Sequence, residues 1–159
     1  MIVAEKSTSR ATLTPLFFCH SIQMAGYLYQ EKAEEFGVKD KNAYKVLIID
    51  DENDLCFLLQ TICRQRGLKT QIANNLEKAT TELRENPDII FLDNNLPDGF
   101  GLEFIHTIRE HTKDSFVVMM TAQSSDSFQK EVFQSGINYF LVKPFDISSV
   151  INLIDKSNR

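Results

Sequence analysis

The sequence predicts an α/β fold in which helices cover a parallel sheet. Two observations lead to this fold class. From Lys45 onward, short apolar runs rich in β-branched residues alternate with segments of helical periodicity, which is typical of strands joined by helical crossovers. The chain has 159 residues, of which 43% are hydrophobic and 25% are charged, a composition typical of one globular domain of ordinary size.

Five strands and five helices are predicted in alternation, beginning with a strand. The apolar runs that define the strands are Val46–Ile49, Leu68–Ile72, Ile89–Leu92, Phe116–Met120 and Ile137–Val142. The residues that define the helices are Leu55, Leu58, Leu59 and Ile62; Leu76, Ala79 and Leu83; Leu102, Ile105, Ile108 and Arg109; Phe128, Val132 and Phe133; and the inward-facing Ile147, Val150, Ile151 and Ile154. Gly67, Gly136 and the Asn86-Pro87 pair are predicted to end helices, and Asp146 is predicted to cap the last one.

Residues 1–44 do not continue this alternation, and we interpret them as an N-terminal extension of unknown role ahead of a domain at residues 45–159. The apolar stretch at residues 16–29 is interrupted by polar residues and is shorter than the ~20 apolar residues that a membrane-spanning helix needs. Lys6 and Arg10 precede it as in a signal peptide, but no clear cleavage site follows. We therefore expect a cytoplasmic protein without a membrane partner.

The charge and the cysteines argue against several classes of function. With a net charge of −5 and no run of basic residues, the chain lacks the clustered Lys and Arg that direct nucleic-acid binding needs. Cys19, Cys56 and Cys63 form no zinc or disulfide pattern, which fits a reducing cytosol. Cys56 and Cys63 lie in an apolar helix and are predicted to be buried and unreactive.

Acidic residues directly follow two of the predicted strands. Asp50 and Asp51 follow the first strand, and Asp93 follows the third. In an open parallel sheet, ligands bind beyond the carboxyl ends of the strands, so these carboxylates converge if the two strands are neighbours. Three carboxylates in one small mouth repel one another and favour a hard divalent cation. Mg²⁺ suits such a site, because it binds few carboxylates and leaves room for waters and a phosphoryl group.

A hydroxyl and a cation are predicted at the same edge of the sheet, because Thr121 follows the fourth strand and Lys143 the fifth. Taken alone, an acid after a strand is often a helix cap or a loop residue, and a lysine before a turn is often a surface residue. It is much harder to explain five such residues together as caps, loop residues and surface residues. The five are Asp50, Asp51, Asp93, Thr121 and Lys143. The five residues together therefore favour a functional site.

With these motifs, residues 45–156 resemble the receiver domain of bacterial two-component response regulators, in particular its single-domain, chemotaxis-type members. The matching residues are Asp50-Asp51, Asp93 in Asp93-Asn94-Asn95-Leu96-Pro97-Asp98-Gly99, Thr121-Ala122 and Lys143-Pro144-Phe145. The resemblance implies a flavodoxin-like, doubly wound sheet of five parallel strands in the order 2-1-3-4-5. It also implies phosphorelay signalling by a phospho-acceptor rather than an enzyme, and a cis peptide bond between Lys143 and Pro144.

By this resemblance, Asp93 is the nucleophile that takes a phosphoryl group from a sensor histidine kinase or a histidine phosphotransfer protein. Asp51 and Asp93 would bind Mg²⁺ directly, together with the backbone carbonyl of Asn95. Asp50 would act mainly through a bound water. Lys143 would pair with Asp93 at rest and bind a phosphoryl oxygen afterwards.

The resemblance also implies how phosphorylation is transmitted. Thr121 would donate its hydroxyl to the phosphoryl group and move inward, and Phe140 would rotate inward with it as a switch aromatic. Phe140 could instead be an ordinary core residue. Asn95 and Gln123, both neutral amides, occupy the positions that control water access and so phosphate lifetime. The expected output surface is formed by the fourth helix, the fifth strand and the fifth helix.

The chain ends soon after the fifth helix, without the output domain that most relatives append, so we expect a single-domain regulator. Its output would then come from binding a downstream protein target or from passing phosphate onward. The charged pairs that dimeric DNA-binding relatives use on the output surface are not evident. We therefore expect a monomer or a weak dimer.

Three alternative functions fit the residues less well. A phosphatase of the haloacid-dehalogenase type would use a similar carboxylate, but Asp93-Asn94-Asn95 lacks the second acid of that motif. A flavodoxin-like FMN protein would need a Ser/Thr/Gly-rich loop after the first strand, where this chain has acidic residues. A receiver that works without phosphorylation would usually have lost one of the five site residues, and none is missing here.

Overall fold

The structure is a computed structural model that describes residues 44–123 and 125–157. Within this part of the chain, the five predicted strands are present, and their ends lie within about two residues of the predicted ones. Their ranges are β1 Lys45–Ile49, β2 Lys69–Ala73, β3 Ile89–Asp93, β4 Phe116–Thr121 and β5 Tyr139–Val142. The expectations for residues 1–43, which include the membrane and signal-peptide interpretations and Cys19, lie outside the described residues.

Neighbouring strands in the sheet all run parallel, in the order β2-β1-β3-β4-β5. This order confirms the flavodoxin-like arrangement that the resemblance implied. The central strand β3 is buried along its whole length, as expected for an apolar run that is covered on both faces.

Five helices follow the strands, as predicted. Their ranges are α1 Asn53–Gln65, α2 Leu76–Glu82, α3 Gly101–His111, α4 Asp126–Gln134 and α5 Ile147–Ser157. Gly67 and Gly136 have positive φ angles of 79° and 100° after α1 and α4. A short 3-10 helix, Leu83–Glu85, follows α2, and Asn86 is its C-cap. Asp146 caps α5 by accepting the N–H of Ser149 at 2.8 Å. No helix in the described part of the chain is long and apolar enough to cross a membrane.

Two apolar layers cover the two faces of the sheet. One layer packs α2, α3 and α4 against it, with Ala79, Ile105 and Val132 among the buried side chains. The other layer packs α1 and α5, with Leu59 and Leu153 among the buried side chains. Each fully buried Leu, Ile or Val contributes roughly 1.5–3 kcal/mol to folding. Helices on both faces confirm the doubly wound fold class.

Three apolar residues that define predicted helices are largely exposed. Leu58 is 39% exposed, Phe133 is 50% exposed, and Ile147, which was predicted to face inward, is 51% exposed. The buried face of α1 consists of Cys56, Leu59, Ile62 and Cys63. Leu58 therefore lies at the border of that face. Ile147 is the first residue of α5, where the helix has only begun to cover the sheet.

The two described cysteines are buried in α1, as predicted. Burial raises the pKa of Cys56 to about 11 and that of Cys63 to about 12. Both thiols are therefore protonated and poorly nucleophilic at neutral pH. Cys56 also donates its S–H to the carbonyl oxygen of Asp50 at 3.3 Å, which joins α1 to the end of β1.

β5 begins two residues later than predicted, because Asn138 pairs with β4 through its side chain. The Oδ1 atom of Asn138 accepts the N–H of Val117 at 2.8 Å, and its own N–H donates to the Val117 carbonyl at 2.9 Å. The side-chain amide thus takes the place of a strand carbonyl. The regular ladder then starts at Tyr139.

Arg109, near the end of α3, holds the loop before β4 and the loop before β5. Its guanidinium donates to the carbonyl oxygens of Lys113 and Ser115 at 3.2 and 2.7 Å. It also donates twice to the carbonyl oxygen of Gly136, at 3.0 and 2.6 Å. A further bond reaches Asn138 Oδ1 at 2.9 Å. One side chain therefore joins α3 to the segments that enter β4 and β5.

We expect Arg109→Met to lower the free energy of unfolding by about 2 kcal/mol, because it removes charge-assisted hydrogen bonds and keeps much of the apolar stem. Urea unfolding followed by circular dichroism measures the change. Arg84→Met, at an exposed position, is the matched control and should change stability by less than about 0.5 kcal/mol. Equal effects of the two variants would show that the guanidinium does not hold these loops.

Candidate functional site

Two acidic residues lie at the carboxyl ends of neighbouring strands. β1 and β3 pair in parallel up to Ile49 and Leu92. Asp50, directly after β1, and Asp93, the last residue of β3, therefore meet at one edge of the sheet. The Asp50 side chain is 0% exposed and that of Asp93 is 7% exposed. This confirms that the ends of the first and third strands are adjacent, as the resemblance implied.

The ammonium group of Lys143 lies between these two carboxylates. Lys143 Nζ is 2.9 Å from Asp50 Oδ2 and 2.8 Å from Asp93 Oδ1. It is also 3.0 Å from Glu52 Oε1. The peptide bond between Lys143 and Pro144 is cis, which confirms the prediction. Lys143 is therefore paired with Asp93 in this structure, as the resemblance implied for the resting state.

Negative charge is in excess at this site, because one ammonium group serves two buried carboxylates. Burial raises the pKa of Asp50, and the hydrogen bonds from Lys143 and the Glu52 backbone oppose this rise without cancelling it. Burial alone would lower the pKa of Lys143, but hydrogen bonds to Asp93, Asp50 and Glu52 outweigh burial and hold that pKa above its ordinary value. Lys143 is therefore charged at neutral pH, and the site attracts a further cation.

Thr121 is buried at the end of β4, the strand beside β3. Its carbonyl oxygen accepts the N–H of Lys143 at 2.8 Å, which joins these two residues. Thr121 Oγ1 accepts the N–H of Gln123 at 3.1 Å. Because a hydroxyl can accept and donate at once, its proton remains available to a ligand. The structure thus brings Thr121 to the same edge of the sheet as Asp93.

The loop after β3 is fixed by hydrogen bonds to its own backbone and to α3. Asp93 Oδ2 accepts the N–H of Asn95 at 2.6 Å. The backbone carbonyl oxygen of Asn94 accepts the N–H of Gly101 at 2.9 Å. The side-chain Oδ1 atom of Asn94 accepts the N–H of Leu102 at 3.2 Å. The first turn of α3 therefore determines where the Asp93 loop lies.

The oxygen donors of this site fit Mg²⁺ held by few protein ligands. Asp51 is exposed next to the buried Asp50. Among the described residues, no three His, Cys, Asp or Glu side chains form a group that could hold a metal ion by itself. Mg²⁺ does not need such a group, since it commonly binds one or two carboxylates and keeps several waters. The two buried carboxylates and the excess negative charge therefore suit this cation.

Phe140 is half-buried in β5, beside aromatic side chains of α4. Its ring centroid lies 6.2 Å from that of Phe128 in an edge-on arrangement and 6.5 Å from that of Phe133. Such contacts suit a core residue and also a ring that changes its rotamer. The switch role of Phe140 therefore stays a prediction.

Two polar contacts near the site were not predicted from the sequence. Glu52, the third acid after β1, contacts Lys143 as described above. Asp98 accepts the N–H groups of Leu76 and Glu77 at 2.9 and 3.0 Å, and so caps α2 from the loop after β3. In the sequence, Glu52 stands out only as the third acid in a run, and Asp98 only as an acid in a turn. The partners of both residues lie far away along the chain.

The cap formed by Asp98 should make stability depend on pH. Hydrogen bonds from the backbone of Leu76 and then of Glu77 lower the pKa of Asp98 below its ordinary value. A carboxyl group with a lowered folded-state pKa stabilises the fold above its unfolded pKa and loses this contribution as the pH falls through its folded pKa. Asp98→Asn should therefore be less stable than wild type at pH 7, by a difference that shrinks below about pH 4. Urea unfolding across this pH range measures the difference, and a constant difference would contradict the prediction.

Comparisons with known proteins lead to the same family that these site residues resemble. A family model described as the response regulator receiver domain matches residues 46–155. Response regulator protein PilR of Pseudomonas aeruginosa is 33% identical over 116 residues, which are 72% of this chain and 26% of PilR. Sporulation initiation phosphotransferase F of Bacillus subtilis is 29% identical over 113 residues, which are 70% of this chain and 91% of the relative.

The fold leads to the same family. The crystal structure of a two-component response regulator from Clostridium difficile matches with a TM-score of 0.68 and 30% identity, over 72% of this chain and 94% of that one. The chain spans about a quarter of the length of PilR and most of the length of the phosphotransferase. With its family match, its sheet order and its acidic site, the chain belongs to the response regulator receiver domain family of two-component phosphorelay signalling.

Proposed function

We propose that residues 45–159 form a Mg²⁺-dependent phospho-acceptor domain in which Asp93 takes the phosphoryl group, after an N-terminal extension of unknown role at residues 1–44. The observation that carries this proposal is the position of Lys143 Nζ, 2.9 Å from Asp50 and 2.8 Å from Asp93. A buried cluster of charges is weak evidence for a stabilising role, because removing charges from water is unfavourable. Its presence at the strand ends supports a role in binding and transferring an anion.

The proposed donor is a phosphohistidine of a sensor histidine kinase or of a histidine phosphotransfer protein. A carboxylate oxygen of Asp93 attacks the phosphorus atom, and the P–N bond breaks. Its electron pair stays on the imidazole nitrogen of the donor, and an acyl phosphate forms on Asp93. The similarity to sporulation initiation phosphotransferase F, at 29% identity, supports a place in such a relay. The domain catalyses only its own phosphorylation and dephosphorylation.

The side chains around Asp93 contribute position and charge. Phosphoryl transfer has a loose transition state, so the protein mainly orients the reactants and stabilises the charge on the phosphoryl oxygens. Lys143 supplies an ammonium group, and Thr121 supplies its hydroxyl proton. The N–H of Asn95, 2.6 Å from Asp93 Oδ2, holds the carboxylate in one orientation.

The metal ligands are proposed from the same residues. Asp51, Asp93 and the backbone carbonyl of Asn95 would bind Mg²⁺ directly, and Asp50 would act through a water. When bound, Mg²⁺ offsets the negative charge of the phosphoryl group. The hard oxygen donors at the ends of β1 and β3 are those that this cation prefers.

The proposed output is a conformational change that a partner protein recognises. Thr121 moves toward the phosphoryl group and Phe140 rotates inward, which shifts the population of two conformers. The downstream protein target binds the face formed by α4, β5 and α5, which exposes the apolar side chains of Phe133, Tyr139 and Val142. The domain acts in the cytoplasm as a monomer or a weak dimer, without binding nucleic acid or membrane directly.

Incubation with acetyl phosphate and Mg²⁺ tests the proposed acceptor. The wild type should form an adduct that is stable in acid and labile in base, and EDTA should prevent its formation. Asp93→Asn should not be labelled. Asp54→Asn, which removes an acid from the first turn of α1, is the control and should be labelled like the wild type. An unlabelled wild type, or equal labelling of Asp93→Asn, would contradict the proposal.

A further inference from the structure

Three carboxylate oxygens surround the ammonium group of Lys143 in this structure. An ammonium group offers three donors. Three carboxylate oxygens lie within hydrogen-bond distance of Lys143 Nζ, namely Asp50 Oδ2 at 2.9 Å, Glu52 Oε1 at 3.0 Å and Asp93 Oδ1 at 2.8 Å. A phosphoryl oxygen that binds Lys143 therefore competes with these carboxylates for the ammonium group.

Glu52 is the carboxylate that is easiest to displace. Its side chain is 64% exposed, whereas those of Asp50 and Asp93 are almost fully buried. Water can solvate the carboxylate of Glu52 as soon as it leaves Lys143. A carboxylate of Asp50 that lost Lys143 would stay buried without a compensating charge, which is strongly unfavourable.

The other two carboxylates are also fixed by the backbone. Asp50 Oδ1 accepts the N–H of Glu52 at 2.8 Å, and Asp93 Oδ2 accepts the N–H of Asn95 at 2.6 Å. In each of these carboxylates, one oxygen accepts a backbone N–H and the other contacts Lys143. The side chain of Glu52 instead reaches Lys143 from an exposed position just before α1. Asp50 therefore forms the fixed part of the lysine's surroundings and Glu52 the exchangeable part, while the carboxylate of Asp93 itself becomes the acyl phosphate.

We propose that Glu52 is a positioning residue that holds the ammonium group of Lys143 in the resting protein and yields it to the phosphoryl group. This inference rests on the proposed function of Asp93. At rest, Glu52 keeps the ammonium group directed at the site. On phosphorylation, a phosphoryl oxygen replaces the Glu52 carboxylate, which returns to water. Glu52 therefore competes with the phosphoryl group and weakens its binding to the resting site.

Beryllofluoride, a tetrahedral analogue of the phosphoryl group, measures this competition when it is titrated in Mg²⁺. The chain has no tryptophan, so backbone amide NMR signals of Thr121 and Asn95 report binding. Glu52→Gln should tighten beryllofluoride binding about two- to fivefold, the range expected for loss of an exposed ion pair. Asp54→Asn removes the same charge at the same end of α1, and its carboxylate is not among the three at Lys143. It should leave the affinity unchanged.

Lys143→Met distinguishes competition for the ammonium group from a general effect of charge. In that variant, the further change Glu52→Gln should leave beryllofluoride affinity unchanged, because no ammonium group remains to compete for. The same gain with and without Lys143 would overturn the inference. Unchanged or weaker binding after Glu52→Gln alone would overturn it as well.

The resting contact has a direct readout that needs neither beryllofluoride nor Mg²⁺, and it applies even if Lys143→Met binds no analogue. The ¹⁵N resonance of the Lys143 ammonium group should shift in Glu52→Gln and stay in place in Asp54→Asn. No shift in Glu52→Gln would overturn the inference. Failure of the proposed function looks different, since the wild type would then bind no beryllofluoride or Asp93→Asn would bind it equally well.

Discussion

Gly101→Ala should lower the free energy of unfolding by about 2–3 kcal/mol, because a Cβ atom does not fit at the start of α3. Built on Gly101, this atom would lie less than 3.0 Å from the carbonyl oxygen of Asp93 and 3.1 Å from the Cα atom of Asn94. Both are backbone atoms, which cannot rotate away, so α3 or the Asp93 loop must move. In the interior of an ordinary helix, a change from Gly to Ala stabilises the helix by up to about 1 kcal/mol. A loss of stability in Gly101→Ala would therefore indicate the predicted clash.

The same substitution should also slow phosphorylation, because a movement of α3 or of the loop changes the packing that positions Asp93. Urea unfolding measures the stability, and labelling by acetyl phosphate measures the rate. Glu103→Ala changes an exposed residue in the same turn of α3 and serves as the control. A Gly101→Ala protein that matched this control in both measurements would show that the close approach of α3 to Asp93 is not required.

Lys143→Met should lower the free energy of unfolding by about 2–4 kcal/mol in the absence of divalent cations. The substitution removes the ammonium group that Asp50 and Asp93 share, while the methionine keeps most of the apolar stem. Without this group, two buried carboxylates face each other uncompensated. Proton uptake limits the loss, because burial already raises the pKa of Asp50.

Mg²⁺ should restore part of the stability that Lys143→Met loses, since a cation that binds the folded state stabilises it. Unfolding in EDTA and in excess Mg²⁺ measures this recovery. The further change Asp50→Asn should restore stability even in EDTA, because it removes one of the two buried charges. Lys130→Met, at an exposed position of α4, is the control. If Lys143→Met were as stable as this control in EDTA, the ammonium group would not be what holds the two carboxylates.

Much of the site could be predicted from the sequence, because its residues directly follow apolar runs that are easy to recognise. Asp50, Asp93 and Thr121 each lie at the end of a buried strand. A parallel sheet brings such ends to one edge, so their approach follows from the order of the strands. The meeting of Asp50 and Asp93 is confirmed by their shared contact with Lys143. Their chemical roles stay proposals that the variants above test.

The rest could not be predicted, because it depends on the paths of loops and on the phase of helices. Glu52 and Lys143 lie 91 positions apart, and Asp98 caps a helix 22 positions away. No local pattern links such pairs before the fold is known. Apolar spacing also defines a helical face only to within about one residue. Leu58 and Ile147 lie in helices, as predicted, but their side chains are exposed because the face of each helix was predicted only approximately.

The position of the bound phosphoryl group tests the central claim most directly. After labelling with acetyl phosphate in Mg²⁺, borohydride reduces an aspartyl phosphate to homoserine, which peptide mass spectrometry locates. We predict homoserine at Asp93 in the wild type, and unmodified aspartate at Asp50 and Asp51. Homoserine at another acid, or an unmodified Asp93 in labelled protein, would contradict the assignment of Asp93 as the phospho-acceptor.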